Sequence, residues 1–523
     1  MDMSKLITWG AKAHADRTAF VFQGKEWTFS EINRRTDRLA HGLLRIGVAR
    51  GDPIAVLVGN RPEYAVSEFA VTKAGAIRVP LLATSNSKEL IRWLDGADIA
   101  FVIACPAGID VLRSVREKTA RPFTIVAVES AGEGEFDLET LIADSPEGPV
   151  DVELTPDDLY AIRFTGGTTG APKGIVMSHR NMVTVMMNAL LSLQIQKTDV
   201  GLTLHPMTHA CGFFMYYYWM MGAKNIIHPA FNFKVSNFVA AVEQHRVTSI
   251  MMIPTLLNII LDAPESKSVD FSSIRHIIYG GAPIPLPRLE HSLLRFGPVF
   301  QQIYGSSESP MLMASLLRDE HLRPDGSKPT WFGSVGREVI NVEIKVADET
   351  GTPVPVREIG EIMSRGEHTM VGYWRNPELT TARYQDGWIR TGDMGYFDEN
   401  RYLFLVDRKE DMIITGGFNV WPAEIEDVLY SHPAVLEGCV FGVEDPKWGE
   451  AVCALAVLRT GSQASETEII AYMAERLTNY KVPKRIVISS EAMPKSGVGK
   501  LLRRQARERF LAAVATSSTS KQK

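Results

Sequence analysis

Up to about Trp331, short apolar runs alternate with longer stretches whose apolar positions recur at helical spacing. Residues 53–58 (PIAVLV) read as a strand, followed by a helix from Pro62 to about Ala74. MMIP at 251–254 precedes a helix from Thr255, HIIYGG at 276–281 precedes one from about Leu286, and VFQQIYG at 299–305 is a further strand-length run. Such alternation predicts parallel sheets covered by helices on both faces. Beyond Trp331 the texture changes. VEIKV at 342–346, EIGEIM at 358–363 and RYLFLV at 401–406 are strand-length and separated by Gly, Asn and Asp turns, which predicts a β-rich subdomain. From Asp411 onward, helices at about 423–431 and 466–478 flank strands at 437–443 and 451–458. The expected fold class is therefore α/β: a large N-terminal domain (1–407) of parallel α/β sheets plus a β-rich subdomain, then a small α+β C-terminal lid domain (412–512). The polar tail, 513–523, lacks periodicity and is expected to be disordered.

A chain of 523 residues exceeds what one hydrophobic core supports, in keeping with several packed units. A formal charge of -5 gives no electrostatic reason to expect nucleic acid or an anionic membrane as partner. Cys105, Cys211, Cys439 and Cys453 are scattered without a CxxC pair, which fits neither a disulfide framework nor a zinc site and suits a reducing compartment. The start carries charges too early for a secretory signal, and no run approaches the roughly 20 apolar residues of a membrane helix. A soluble, cytoplasmic protein with no membrane span is the expectation.

The candidate chemistry centres on Phe164-Thr165-Gly166-Gly167-Thr168-Thr169-Gly170-Ala171-Pro172-Lys173-Gly174, which follows the strand-like LYAIRFT and precedes a helical run opening at Ser178. Glycines let backbone N–H groups close on an anion, hydroxyls add donors, and the lysine supplies a full charge, as a polyphosphate requires. It is not a Walker A loop, because Gly174 follows Lys173 where Ser or Thr would be needed.

This loop resembles the phosphate-binding signature of the adenylate-forming superfamily, which includes acyl-CoA synthetases, peptide-synthetase adenylation domains and luciferases. Gly166 departs from it, standing where many members have serine. Other matching segments follow in order over nearly the full chain. Pro206-Met207-Thr208-His209-Ala210-Cys211-Gly212 is similar to the segment whose histidine borders the acyl pocket. Gly280-Gly281-Ala282-Pro283 resembles the turn on which adenine packs, and Tyr304-Gly305-Ser306-Ser307-Glu308 the motif whose aromatic ring flanks adenine, whose hydroxyl meets the α-phosphate and whose glutamate helps bind Mg²⁺. Alone, Glu308 reads as a surface acid and His205 with His209 as loop histidines; their company changes the first reading. The rival nucleophile elbow fails because GxSxG needs glycine where Ser309 stands. Asp393 and Arg408 resemble the family's ribose-binding pair, Glu410 its hinge residue within 408–411, Gly416 and Gly417 the lining of a pantetheine channel, and Lys500 the adenylation lysine of the closing motif. Trp421 stands where smaller aromatics or histidine are common.

The resemblance implies catalytic roles for Thr165, Lys173, Glu308 and Lys500. It also implies nucleotide and thiol contacts from Gly166, Gly167, Thr168, Thr169, Gly170, Gly281, Ala282, Pro283, Tyr304, Gly305, Ser306, Ser307, Asp393, Arg408, Gly416 and Gly417. The acyl group would meet His209, Phe213, Gly280 and Ile303. The implied cofactors are ATP, Mg²⁺ and coenzyme A, and the partner is a small-molecule carboxylic acid; a homodimer is among the assemblies the resemblance allows. Most side chains of FFMYYYWMM, after Cys211 and Gly212, read as helix core. Those facing a pocket would suit an aromatic, cyclic or medium-chain acid. The sequence alone points to no arginine or lysine placed to pair a second carboxylate. Two other outcomes stay open: loading of a carrier protein, and a silent nucleotide-binding protein.

Overall fold

The computed structural model of the chain describes residues 1–165, 173–229, 233–496 and 500–520. Among the described residues the strands form four sheets. The centre of the nine-stranded sheet is parallel: Phe300–Tyr304, His276–Gly280, Ser249–Met252, Val200–Thr203, Lys224–Ile227 and Thr18–Phe22 lie side by side. Antiparallel strands close its edges. In the eight-stranded sheet Pro53–Leu57 sits beside Ile77–Pro80 and Phe101–Ala104 in parallel, while Leu159–Thr165 pairs antiparallel with Lys173–Ser178.

The expected elements stand close to where the pattern puts them. The helix after the first run is Pro62–Lys73, and those after the later strands are Pro254–Asp262 and Leu286–Phe296. Pro62–Lys73 is buried along almost all its length, so the two buried charges on it, Glu68 and Lys73, carry their own counter-charges. Lys73 Nζ lies 2.6 Å from Asp37, and Glu68 pairs with Arg78. The aromatic helix Ala210–Met221 is likewise enclosed, with only its first and last residues not fully buried. Its polar atoms reach other elements: Trp219 Nε1 donates to the Ile7 carbonyl at 2.9 Å, and Tyr218 donates to Ser249 Oγ at 3.0 Å.

Two local expectations are corrected. The glycine-rich loop joins two antiparallel strands, not a strand and a helix; Thr165 pairs with Lys173, and the helix His179–Ser192 starts only after KGIVMS has completed the second strand. The adjacent β-branched Ile175 and Val176, both buried, favour a strand there. Of the tail expected to be disordered, residues 513–520 continue the last helix, Arg503–Ser520, whose Phe510 and Val514 pack on the C-terminal unit, and 521–523 lie outside the described residues.

The third sheet, built on Glu343–Ala347, Gly360–Arg365, Trp388–Phe397 and Leu403–Arg408, is the β-rich part. A 3-10 turn, Lys409–Asp411, leads from it into the fourth sheet, with the exposed Glu410 at its middle. Arg503 clamps this joint: it pairs with Glu426, reaches Asp411 at 3.4 Å and Asp407 at 3.9 Å. Asp407 also accepts the Ala423 N–H at 2.9 Å. Burial pushes the Asp407 carboxyl up to about 6, against the pull of Arg503. In the unfolded chain the group titrates near its ordinary value of about 3.9, so between roughly pH 4 and 6 the folded state holds the extra proton. Stability from this group therefore falls as pH rises through that window and is level above it. Asp407→Asn is expected to flatten the slope and to gain up to about 2 kcal/mol at pH 7. Urea unfolding of both proteins at pH 4.5 and 7 checks this; an unchanged slope assigns the effect elsewhere.

Candidate active site

Parallel strands in one sheet bring their carboxyl ends to one edge, and the loops leaving that edge build the site. Val200–Thr203 leads to His205 and His209, Ser249–Met252 to Ile253, His276–Gly280 to Gly281, Ala282 and Pro283, and Phe300–Tyr304 to Gly305, Ser306, Ser307 and Glu308. Gly281 has φ +79°, a conformation that favours glycine, and Lys500 Cε lies 4.0 Å from where a Cβ would stand on it. Gly280 and Ile303, both expected at the acyl pocket, pack on each other: a Cβ on Gly280 would fall 2.3 Å from the Ile303 carbonyl oxygen.

Across the antiparallel pair Trp388–Phe397 and Leu403–Arg408, Asp393 stands directly opposite Arg408. Arg408 Nε approaches Asp393 Oδ1 at 2.7 Å, and Tyr304 donates its hydroxyl to Oδ2 at 2.8 Å. Burial raises the Asp393 carboxyl, with Arg408 pulling the other way. The two residues read as a ribose pair thus meet each other and the ring read as the adenine wall.

Glu308 accepts the Tyr373 hydroxyl at 2.7 Å and faces Arg383 at 3.4 Å, both through Oε1. No group of three His, Cys, Asp or Glu side chains gathers among the described residues. The single carboxylate of Glu308 fits what Mg²⁺ asks of a protein, one or two ligands with phosphate and water completing the shell.

His209 ends the loop before Ala210–Met221, with its Nδ1 3.0 Å from Thr208 Oγ1. Burial, helped by the charges of Arg163 and Lys500, holds its ring down to about 3, so it is neutral at pH 7. His205 accepts the Ile253 N–H at 3.3 Å through Nε2. Asn60, unremarked in the sequence, fixes this loop by donating to the carbonyls of His205 (2.9 Å) and His228 (3.0 Å) and accepting the Met207 N–H (2.8 Å). The loop folds back so closely that a Cβ on Gly212 would stand 2.1 Å from the Met207 carbonyl oxygen. Gly212→Ala is expected to displace His209, destabilise the protein by about 1–3 kcal/mol and raise the acid's KM more than that of ATP. Thermal unfolding and separate KM measurements check it.

Lys500 enters from the C-terminal unit on a tight turn, Lys495 bridging Leu501 and the Ser496 N–H donating to the Lys500 carbonyl at 2.7 Å. Burial and the Arg408 and Arg163 charges hold its ammonium below the ordinary lysine range. Lys173 is exposed at the far end of the loop hairpin. The expected contacts Gly166, Gly167, Thr168, Thr169 and Gly170 lie outside the described residues. Phe213 is buried beneath Arg163, whose guanidinium carbon lies 4.6 Å from the ring centre. Gly416 (φ +57°) and Gly417 (φ +85°) turn the hairpin Ile413–Thr415/Phe418–Val420; the Gly416 N–H donates to the Trp448 carbonyl at 2.8 Å, and Trp421 precedes the helix Pro422–Ser431. No described contact joins the two glycines to the Lys500 cluster.

Residues 7–374 match the model of the AMP-binding enzyme family, and residues 424–500 that of the AMP-binding enzyme C-terminal domain. The chain belongs to the AMP-binding enzyme family. Among curated relatives, a feruloyl-CoA synthase of an Amycolatopsis species is 34% identical over 96% of this chain and 97% of its own. A medium/long-chain fatty acid–CoA ligase of Mycobacterium tuberculosis is 32% identical over 97% and 89%. Among solved structures, o-succinylbenzoate-CoA synthetase of Bacillus subtilis, in complex with an acyl-adenylate intermediate, superposes with TM-score 0.83 at 29% identity, over 96% of this chain and 97% of that one. This member of the AMP-binding family lies in the acyl-CoA synthetase branch and is an AMP-forming acid–CoA ligase using ATP, Mg²⁺ and coenzyme A. Among the described residues no helix is long and apolar enough to cross a membrane.

Proposed function

We propose that the acid activated is an aromatic, cyclic or medium-chain carboxylic acid, and that the residues named above carry the two half-reactions. The seating of Lys500 over Gly281, with its charge acting on His209, carries this reading. In the first half-reaction a carboxylate oxygen attacks the α-phosphorus, the bond to the bridging oxygen breaks and pyrophosphate leaves. Negative charge gathers on phosphate oxygens, so positioning and electrostatic stabilisation dominate. Lys500 and Lys173 are cations suited to that charge. Glu308 would hold Mg²⁺, which when bound neutralises phosphate charge. Asp393 orients the ribose through its two oxygens while Tyr304 flanks the base. His209, neutral, walls the acyl carbonyl without competing for a proton. In the second half-reaction the thiol sulfur attacks the acyl carbon, AMP leaves with the bonding pair, and the thiol proton passes to solvent.

The wall bearing Phe213 supports a bulky apolar acid, and the relatives' names include both an aromatic and a fatty acid. The testing experiment is pyrophosphate release from Mg-ATP with a panel of acids, with and without coenzyme A. Sustained turnover that requires coenzyme A, highest with ring-bearing or medium-chain acids, is expected. Release stalling near one equivalent despite coenzyme A would assign a carrier protein as acceptor. ATP binding without release from any acid, unaffected by Lys500→Ala, would favour the silent reading.

A further inference from the structure

Arg163, like Lys500 and Lys173, has no carboxylate within ion-pair distance among the described residues, and unlike those two it belongs to a sheet interior, on the strand Leu159–Thr165. Arg78 has Glu68, Lys73 has Asp37, and Arg408 has Asp393. No ion pair of Arg163 is found among the described residues, and the segments outside them contain no Asp or Glu. Among the described residues Arg163 is half-buried and lies against the Phe213 ring, a cation–π contact that brings no counter-charge. Burial, with Arg78 adding repulsion, pushes Arg163 down to about 10.

The strand register fixes which way Arg163 faces. In Leu159–Thr165 it pairs with Ile175, so Arg163 shares a face with Ile175 and with Lys173 two residues before it. Phe164 takes the other face and stacks on Trp93 at 6.2 Å. On the opposite wall, Phe213 and Tyr217 lie one turn apart on the same stripe of Ala210–Met221, below His209. The Tyr217 hydroxyl is buried and has no hydrogen-bond partner among the described residues. Neighbouring hydroxyls on this helix are satisfied, Tyr216 by Tyr160 at 2.8 Å and Tyr218 by Ser249. A buried hydroxyl without a partner is costly, and Arg163 stands against the same stripe of this helix, over Phe213 one turn before Tyr217.

We infer that Arg163 and Tyr217 form an anion subsite within the acyl pocket that takes a second carboxylate of the substrate. This rests on the ligase reading and narrows it: the acid is a dicarboxylic acid. With the reacting carboxylate held at His209 and Lys500, the second one sits about one helical turn deeper, roughly 5 Å away. That spacing selects benzene-1,3-dicarboxylate or a five-carbon diacid over longer ones. Arg163 donates two N–H groups to the carboxylate and Tyr217 one O–H, the mixed set that buried carboxylates favour.

The test uses matched pairs in which the second carboxylate is replaced by a neutral group of like shape: benzene-1,3-dicarboxylate against 3-nitrobenzoate, and glutarate against 5-methylhexanoate. For each, kcat/KM for pyrophosphate release is measured on the full-length enzyme and on Arg163→Met and Tyr217→Phe. At least one diacid is expected to exceed its neutral partner by on the order of a hundredfold. That ratio should collapse in Arg163→Met and fall several-fold in Tyr217→Phe. Because each ratio is taken within one preparation, partial misfolding cancels. Equal or higher rates with the neutral partners, or loss of both acids alike in Arg163→Met, would overturn the subsite. Failure of the ligase reading looks different: no acid of the wider panel would give release that depends on coenzyme A.

Discussion

Lys500→Ala is expected to lower acyl-adenylate formation by on the order of a hundredfold or more, while preformed acyl-adenylate still reacts with coenzyme A at close to the normal rate. The Lys500 side chain, carried by the C-terminal unit, reaches Gly281 and feels the charges of Arg163, Arg408 and Asp393, all outside that unit. Its ammonium sits among other cations, which hold it below the ordinary lysine range, and that arrangement becomes favourable when an anion arrives. The transition state of adenylation supplies such an anion, whereas thiol attack needs no cation at the α-phosphate. We infer that the unit turns about 408–411 between half-reactions, withdrawing Lys500 and presenting Gly416 and Gly417. Measuring the two half-reactions separately decides the matter: equal losses in both would show that Lys500 supports the site as a whole and that the division of labour is wrong.

The second large effect is expected at Asp393. Asp393→Ala should raise the KM for ATP by tens of fold, the scale of losing one or two hydrogen bonds to a charged acceptor, and leave the acid's KM within a few-fold. Asp393 sits between the Tyr304 hydroxyl and Arg408, so the substitution frees a buried tyrosine and a half-exposed arginine at once. Arg408 can turn to solvent, so the fold should survive; Tyr304 cannot, and its ring should lose its fixed orientation. Asp393→Asn keeps an acceptor for Tyr304 and should recover part of the loss. An acid KM that rises while that of ATP holds would remove Asp393 from the nucleotide site.

Much of this was legible in the chain because parallel sheets write their strands as short apolar runs, and because glycines at strand ends mark places where backbone must come close. HIIYGG and VFQQIYG gave both a strand and the loop after it, and the structure places those loops on one edge with His209 and Lys500. The hairpin around the phosphate loop was not legible, since KGIVMS is short and runs straight into a capped helix. Asn60, Tyr373 and Arg383 were invisible for another reason: each acts through a partner distant in sequence, and a lone polar residue in a loop carries no period. Arg163 did leave a trace, as a charge inside an otherwise apolar strand run. What the run could not say was which face it occupied or whether an acid waited there. The last helix was misread because serine and threonine were weighed for polarity, while Phe510 and Val514, which anchor it, lie one turn apart.

The enclosed helix Ala210–Met221 bears on how such an enzyme could be re-tooled. Trp219 is tied to Ile7, Tyr218 to Ser249 and Tyr216 to Tyr160. Each tie reaches a different part of the molecule, so altering any of these residues to admit a new acid would loosen a distant piece of scaffold. Phe213 and Tyr217 carry no such hydrogen-bonded tether among the described residues. Drift in substrate range, by natural divergence or by a directed library, is therefore channelled through two positions on one stripe and the arginine that faces them, while the rest of the aromatic run stays fixed by duties unrelated to the acid.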